Sequence, residues 1–218
     1  YNPFSLASKD IGLVLSNDSW AQLDYPFIQS HMQSLFKQLH RPLDLNTILR
    51  DIFPFKYFVL TESGRSAESV LCETWQGKSD VLQNLLFPTW VFSEIQNGLN
   101  PIEIPHPDLF KENVNTLFLG DVDINLLTSH VLDRSDSISF VCIEISNNAA
   151  GGLPTSLSHL EEVKTFLSEY EIPLVLDATR IVENAYFIQS QPDAKKQPSV
   201  WNTVHDLLKC ADIITVSL

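Results

Sequence analysis

The stretch Ile172–Ile188, which reads IPLVLDATRIVENAYFI, decides the fold predicted for this chain. Pro173 opens a short apolar run, Leu174–Leu176, whose length and branched content favour a buried parallel strand. The apolar residues then change to helical spacing, at Ile181, Val182, Ala185 and Ile188. Asp177 stands where the pattern switches, which in an open α/β sheet is the carboxyl end of a strand, where ligands bind. Arg180 is predicted one turn into the helix, within reach of the same ligand.

Both polar residues have a purely structural interpretation as well. Asp is a favoured N-cap residue, so Asp177 can simply cap the helix that follows. Arg180 can be a solvated charge on the helix surface. Most helix starts of this kind carry no chemistry, and spacing alone therefore favours the cap.

Composition narrows the class of protein. The chain has 218 residues, 44% of them hydrophobic, which is enough for a substantial core. Its formal net charge of -13 disfavours nucleic acid or an anionic membrane as the main partner. The cysteines, Cys72, Cys142 and Cys210, lie far apart in apolar surroundings, which favours free thiols in a reducing compartment. Without a membrane-spanning run or a signal pattern, we expect a cytoplasmic protein.

The pattern along the chain predicts an α/β fold with a mainly parallel, doubly wound sheet. A helical and loop segment is expected over residues 1–50, with an amphipathic helix at 26–39, and the sheet domain over residues 51–218. The strands are predicted at Lys56–Thr61, Leu85–Glu94, Phe140–Ile145, Leu174–Leu176 and Ile213–Leu218. The histidines lack the spacing of metal ligands, so no metal site is predicted.

A turn of small residues follows the first predicted strand, at Glu62–Ser69. It runs into a helix, and the unpaired N–H groups and dipole at a helix N-terminus attract anions. Arg65 adds a positive charge beside Ser63 and Gly64, so these residues form a candidate phosphate site. The alternative is an ordinary strand-to-helix turn, because short turns containing Gly and Ser are common.

Several segments of the sequence resemble a known family. Asp-Ala-Thr-Arg at Asp177–Arg180, followed by Val-Glu-Asn-Ala-Tyr-Phe-Ile at Val182–Ile188, closely resembles the segment beneath the cofactor in the pyridoxal-phosphate β-eliminating lyases, the family of tryptophanase and tyrosine phenol-lyase. The loop Ser146–Pro154 and the start Asn2–Phe4 are similar to the same family. The resemblance implies the large domain of a fold-type I enzyme that binds pyridoxal 5′-phosphate. It also implies elimination from tryptophan or tyrosine, which gives indole or phenol with pyruvate and ammonia.

The resemblance assigns roles around the cofactor ring. Asp177 would lie against the pyridine nitrogen and keep it protonated, so that the ring can accept electrons. Asn148 and Arg180 would hold the phenolic oxygen. An asparagine in a turn is the structural alternative for Asn148, and the neighbouring Asn147 is predicted to be one.

The resemblance also assigns the phosphate and the stacking contact. The turn with Ser63, Gly64 and Arg65 would hold the cofactor's phosphate, and Ser217, near the end of the last predicted strand, would contact it. Phe92 would stack on the pyridine ring. Large aromatics such as Phe92 and its neighbour Trp90 are nevertheless more often core residues.

The sequence departs from the family in ways that bear on catalysis. Ser63 and Ser66 stand where the family has Gln and Gly, although their hydroxyls can still donate to a phosphate. The family's Gly-Asp-Glu-Ala-Tyr word, which supplies an active-site tyrosine and a monovalent-cation carboxylate, is absent from Gln38–Leu45, so a cation site is not supported. In the family, the Schiff-base lysine follows the strand end that matches Ser217 by a couple of positions, so the resemblance implies a lysine just beyond Leu218. Lys164 and Lys209 are predicted on helix faces and are poor substitutes.

Three functions fit these observations. The chain can be the N-terminal part of a lyase for an amino-acid substrate, completed as a homo-oligomer or by a chain that supplies the missing C-terminal half. The apolar last strand, with no crossover after it, leads us to expect a split or excised chain. It can instead be an inactive, lyase-like binding or scaffold subunit. An unrelated α/β phosphate or nucleotide binder is the third alternative.

Overall fold

The computed structural model describes residues 45–75, 77–192 and 198–217. The chain divides into two compact units, Tyr1–Leu49 and Arg50–Leu218. All elements from Gly64 onward lie in the second unit, and so do the candidate residues. The amphipathic helix predicted at residues 26–39 lies outside the described residues.

The described helices are α1 Leu45–Ile52, α2 Gly64–Thr74, α3 Pro88–Gln96, α4 Ile124–Arg134, α5 Leu157–Ser168, α6 Ile181–Ser190 and α7 Val200–Lys209. Several begin at a residue whose side chain accepts hydrogen bonds from the first N–H groups of the helix, namely Ser63, Asp123, Ser156 and Ser199. Because Ser and Asp oxygens satisfy N–H groups that have no intrahelical partner, these starts are encoded locally. No helix in the described part of the chain has the length and apolarity needed to cross a bilayer.

The described strands form one parallel sheet: β1 Asp80–Gln83, β2 Asn100–Glu103, β3 Ile138–Glu144, β4 Leu174–Asp177 and β5 Ile213–Thr215. Their order across the sheet is β2-β1-β3-β4-β5. Strands β1, β3 and β4 are buried along nearly their whole length, as expected for central parallel strands covered on both faces. This arrangement confirms the predicted α/β fold and its mainly parallel sheet.

The strand order places a crevice at the carboxyl edge. The chain leaves β1 toward β2 and leaves β3 toward β4, so its direction across the sheet reverses between β1 and β3. Ligands in open α/β sheets bind beyond the strand ends at such a reversal. Glu144, Asp177 and Thr215 end β3, β4 and β5 along this carboxyl edge, beside the reversal, and are partners in register. Residues in register on parallel strands point to the same face, and we call these three side chains the polar row.

The core beneath this edge is a cluster of buried side chains: Cys72, Val81, Trp90, Leu99, Phe140, Cys142 and Val175. Helices α2 and α3 contribute Cys72 and Trp90, so they cover this face of the sheet. Side chains alternate between faces along a strand, and Asp177 follows Val175 by two residues. The polar row therefore continues the face covered by α2 and α3.

The strand predicted at Lys56–Thr61 is wrong. This segment has no regular secondary structure, and Tyr57 and Val59 are 78% and 75% exposed. Its aromatic and β-branched residues fit a strand locally. A strand also needs a neighbour for its N–H and C=O groups, and among the described residues none pairs with this segment.

The strand predicted at Leu85–Glu94 is also wrong. The strand in this region is β1, which ends at Gln83, and α3 begins at Pro88 in the first helical turn. Proline suits that place because its φ is already helical and its missing N–H would have no partner there. The strands predicted at Phe140–Ile145 and Leu174–Leu176 are confirmed as β3 and β4. The strand predicted at Ile213–Leu218 is confirmed only over Ile213–Thr215, which is β5, because Val216 and Ser217 have no strand structure.

Candidate functional site

The Asp177 side chain lies at the centre of the polar row and receives two hydrogen bonds. Trp90 Nε1 donates to Oδ2 at 3.0 Å, and the Thr179 N–H donates to Oδ1 at 3.2 Å. Asp177 is 8% exposed. The N-cap of α6 is Arg180, so the interpretation of Asp177 as the cap is wrong. The acid is held at the strand end by a buried indole and by its own turn.

The turn before α2 brings the predicted phosphate residues together. Ser63 is the N-cap of α2, and its Oγ accepts the Ser66 N–H at 3.2 Å. The N–H groups of Gly64 and Arg65 lie in the first turn, where a helix offers them no acceptor. Arg65 is exposed, and none of the ion pairs between described residues includes it. The turn therefore presents open N–H groups and a positive charge to an anion.

Ser217 joins this turn to the Asp177 segment. A Cβ placed on Gly64 would lie 3.6 Å from Ser217 Cβ, so the two backbones pass close to each other. The Ser217 N–H donates to Thr179 Oγ1 at 3.3 Å. The segment after β5 consequently touches both the start of α2 and the turn after β4.

Asn148 and Arg180 also lie together. Arg180 Nη1 donates to Asn148 Oδ1 at 2.7 Å. Asn148 follows β3 and Ser217 follows β5, so these two residues flank the Asp177 strand on opposite sides. Arg180 is the N-cap residue of α6, which corrects its predicted place one turn inside the helix. The reason is the Asp177–Thr179 turn, which keeps the backbone out of the helix for three residues.

Three buried asparagines support the loop that carries Asn148, and the sequence patterns did not identify two of them, Asn84 and Asn184. Asn147 is fully buried and donates to Asn84 Oδ1 at 3.3 Å. Asn84 also donates to the Glu144 carbonyl at 3.1 Å. Asn184 on α6 accepts the Thr155 N–H at 2.8 Å and donates to the Thr155 carbonyl at 2.9 Å. Asn147 was predicted as a turn residue, and the structure shows that it also crosslinks the ends of β1 and β3.

Two acids beside Asp177 have raised pKa values. Burial raises the pKa of Glu68 to about 7, against the hydrogen bond from Thr89. Burial likewise raises the pKa of Glu144 to about 7, against the hydrogen bond from the Asn148 N–H. The charge of Asp177 raises both values further. Oε2 of each acid is buried without a partner among the described residues. Burial beside Asp177 therefore makes both carboxyl groups harder to ionise than a solvent-exposed glutamate.

A match to a family model agrees with this geometry. The model described as Beta-eliminating lyase matches residues 40–218. The chain belongs to the β-eliminating lyase family. The match includes all the candidate residues, from the Ser63 turn to Ser217.

Individual members of the β-eliminating lyase family are distant relatives. Tyrosine phenol-lyase of Clostridium tetani is 28% identical over 222 residues, which are 100% of this chain and 48% of that protein. Tryptophanase of Salinibacter ruber is 27% identical over 230 residues, which are 100% of this chain and 47% of that protein. The chain thus spans about half the length of the curated relatives that it matches. Among solved structures, threonine aldolase of Leishmania major is similar with a TM-score of 0.49 and 14% identity, over 70% of this chain and 40% of that one.

In this β-eliminating lyase chain, the structure does not bring Phe92 together with Asp177. Phe92 lies on α3 and is 68% exposed. It follows Trp90 by two residues, which is about 200° around a helix, so it faces away from the indole that binds Asp177. Phe87, at the N-cap of α3, instead packs on the core cluster around Trp90. Pro88 was the sequence signal for this helix start.

Metal ligation has no support in the described part of this β-eliminating lyase chain. No three His, Cys, Asp or Glu side chains cluster there as a metal ion requires. His159 Nε2 accepts the Val122 N–H, and His106 Nδ1 accepts the Asp108 N–H, so these two rings have structural contacts. Residues 38–44, where the family's cation-binding word is absent from the sequence, lie outside the described residues.

Proposed function

We propose that this chain forms the pyridoxal 5′-phosphate-binding part of a β-eliminating lyase acting on tryptophan or tyrosine, with indole or phenol, pyruvate and ammonia as products. One observation carries the proposal. A single edge of the sheet gathers the open N–H groups of the Ser63 turn, the Asp177 carboxyl group and the Asn148–Arg180 pair. A phosphate, a basic ring nitrogen and a phenolic oxygen are the features of this cofactor that need such groups.

The residues at this edge fit the cofactor. Thr215 Oγ1 and Glu144 Oε2 flank Asp177 in the polar row, and both are buried without a partner among the described residues. Buried polar atoms in native proteins are normally satisfied by protein, water or ligand. Unpaired atoms on both sides of Asp177 therefore support a polar ligand in contact with this row.

Each residue has a defined task in this proposal. When bound, pyridoxal phosphate supplies a sink for the electrons left when the α-proton of the amino acid departs. Asp177 would hold a proton on the ring nitrogen. Arg180 donates to Asn148 Oδ1, which orients the amide so that Asn148 Nδ2 can donate to the phenolic oxygen. The Ser63 turn and Ser217 would bind the phosphate.

Lys164 and Lys209, the lysines weighed as substitutes for the Schiff-base lysine, are both engaged elsewhere. Lys164 pairs with Asp212, which precedes β5 at the amino edge of the sheet and also accepts the Leu174 N–H. Lys209 pairs with Asp206 on α7. We propose that the lysine follows Leu218 directly or belongs to a partner chain. Intact mass together with light scattering tests this: a monomer of 24.7 kDa with lyase activity would contradict it.

A non-catalytic binding subunit of the same family is the second candidate. The observation in its favour is that Ser63 Oγ and Ser66 Oγ lie 3.1 Å apart, within hydrogen-bond distance of each other. Hydroxyls that are already paired contribute less to phosphate binding. An assay for release of indole or phenol from the assembled protein separates the two candidates, because only the lyase releases either product.

Comparison of pyridoxal phosphate with pyridoxal tests the phosphate turn. We expect the purified protein to bind the phosphorylated form at least about tenfold more tightly, because charge-assisted hydrogen bonds contribute about 1.5–3 kcal/mol each. Arg65→Ala should remove most of this preference. Arg50→Ala, at an exposed arginine of α1, is the matched control and should keep it. Equal affinities for the two compounds in the unmodified protein would contradict the assignment.

The ring-nitrogen assignment has its own test. Asp177→Ala removes the carboxyl group that would contact the ring nitrogen and that accepts the Trp90 indole N–H. We therefore expect weaker retention of pyridoxal phosphate during dialysis. Thermal unfolding of the same variant checks that the fold persists. Unchanged retention by a folded variant would contradict the proposed role of Asp177.

A further inference from the structure

We infer that Trp90 is a positioning residue of the candidate site, whose indole N–H fixes the orientation of the Asp177 carboxyl group. The inference rests on the proposed function and adds a residue that acts through Asp177. Trp90 lies on α3 and Asp177 ends β4, 87 residues later in the chain. Their hydrogen bond therefore ties the helix layer to the strand end that faces the ligand.

The geometry leaves the indole little freedom. Trp90 is 0% exposed, and its ring centroid lies 6.3 Å from that of Phe140. The ring also packs within the core cluster, and an indole has only one N–H donor. A donor on a confined ring can offer its hydrogen bond in one direction only. Trp90 Nε1 points at Asp177 Oδ2 with a separation of 3.0 Å.

The second oxygen of Asp177 is fixed independently. The Thr179 N–H donates to Oδ1, and this N–H belongs to the turn directly after β4. The carboxyl group is thus held on one oxygen by the chain's own turn and on the other by α3. If Trp90 loses its N–H, Oδ2 has no remaining donor among the described residues. The carboxyl group can then rotate about its side-chain bonds. Hydrogen bonds from neighbouring residues normally hold a site residue in the orientation that binds its ligand, and the Trp90 N–H would do this for Asp177.

Trp75 provides a matched control in the same cluster. Its ring centroid lies 5.6 Å from that of Phe140, so it packs on the same aromatic residue as Trp90. Its Nε1 is buried without a partner among the described residues. Trp75→Phe and Trp90→Phe therefore remove the same chemical group beside the same residue, and only Trp90→Phe removes a hydrogen bond to Asp177.

The first experiment compares the two variants in cofactor binding. Titration with pyridoxal phosphate, followed by absorbance and by protein fluorescence, gives the dissociation constant of each. We expect Trp90→Phe to bind at least about tenfold more weakly and Trp75→Phe to stay within about twofold of the unmodified protein. Thermal unfolding of both variants separates loss of positioning from loss of fold. Equal affinities for Trp90→Phe and the unmodified protein would overturn the inference.

A second measurement does not depend on the cofactor or on the folding of Trp90→Phe. In ¹H–¹⁵N spectra of the ¹⁵N-labelled protein, Asp177→Ala should move the indole resonance of Trp90 and speed its exchange with water, while that of Trp75 stays in place. An unmoved Trp90 resonance overturns the inference. If the unmodified protein binds no pyridoxal phosphate, the proposed function fails, and the indole resonances then decide the Trp90–Asp177 contact by themselves.

Discussion

Glu94 is a buried acid on α3 whose replacement should change how stability depends on pH. It is 0% exposed, and Gln83 Nε2 lies 3.0 Å from its Oε1 and 2.9 Å from its Oε2. Burial raises the pKa of Glu94 from 4.5 to about 8; the hydrogen bond from Gln83 lowers it and the charge of Glu68 raises it. The native protein therefore binds this proton more tightly than the unfolded chain does.

The direction and size of the effect follow from this difference. The contribution to stability is fully present below pH 4.5, falls as pH rises, and is lost above pH 8. Each pH unit between the two pKa values lowers the free energy of unfolding by about 1.4 kcal/mol, so the loss reaches about 3 kcal/mol at pH 7. Glu68 and Glu144, whose pKa values are raised to about 7, add losses in the same direction. We expect the protein to be most stable in mild acid.

Glu94→Gln tests this reasoning, because the amide keeps the shape of the protonated acid and cannot ionise. Urea unfolding followed by circular dichroism at pH 5, 6, 7 and 8 should give the variant a shallower pH dependence and about 3 kcal/mol more stability than the unmodified protein at pH 7. Glu73→Gln, at an exposed acid of α2, is the matched control. If Glu94→Gln and the unmodified protein lose stability in parallel, Glu94 is ionised in the native state and the reasoning fails.

Three further perturbations test the loop around the site and the core. Gly120→Ala would place a Cβ 2.6 Å from the Leu153 carbonyl oxygen and 2.7 Å from that of Pro154. We expect the free energy of unfolding to fall by about 2 kcal/mol or more, and an unchanged melting temperature would show that the loop yields freely. Asn184→Ala leaves the Thr155 N–H and carbonyl unpaired in the interior. Chemical denaturation should show that the free energy of unfolding falls by about 2–4 kcal/mol. A decrease below about 0.5 kcal/mol would contradict the role of Asn184 in supporting this loop. All the cysteines are buried free thiols whose pKa values are raised by burial, so a thiol reagent should label them only as the protein unfolds, and rapid labelling at native pH would contradict this.

The sequence predicted the elements that are encoded locally. The apolar run Leu174–Leu176 is long enough for a strand and too short for a helix, and it forms most of β4. The turn at Glu62–Ser69 runs into a helix as predicted, and α2 begins there because the Ser63 hydroxyl accepts one of the helix's own N–H groups. The strand and the helix start each depend on a few neighbouring residues. The candidate cofactor residues, by contrast, were assigned from the resemblance to the lyases.

The errors arose where local preference and tertiary pairing disagree. Lys56–Thr61 has strand-like residues but no partner strand among those described. In Leu85–Glu94 the strand was predicted from the apolar composition, although Pro88 marks the start of a helix. The stacking role of Phe92 came from the resemblance to the lyases, and the helix turns Phe92 about 200° away from Trp90.

The amino-acid sequence by itself determined the α/β class, the strand with Asp177 at its end, the turn of small residues that runs into a helix at Ser63 and the membership of a lyase family. The tertiary structure alone decided which side chains meet: the Trp90 indole with Asp177, Arg180 with Asn148, and the segment after β5 with the start of α2. The physical reason is distance along the chain. Periodicity and capping act over a few residues, whereas the first two of these contacts join residues 87 and 32 positions apart and the third lies still further apart in the chain. All three exist only once the parallel strands bring their carboxyl ends to one edge.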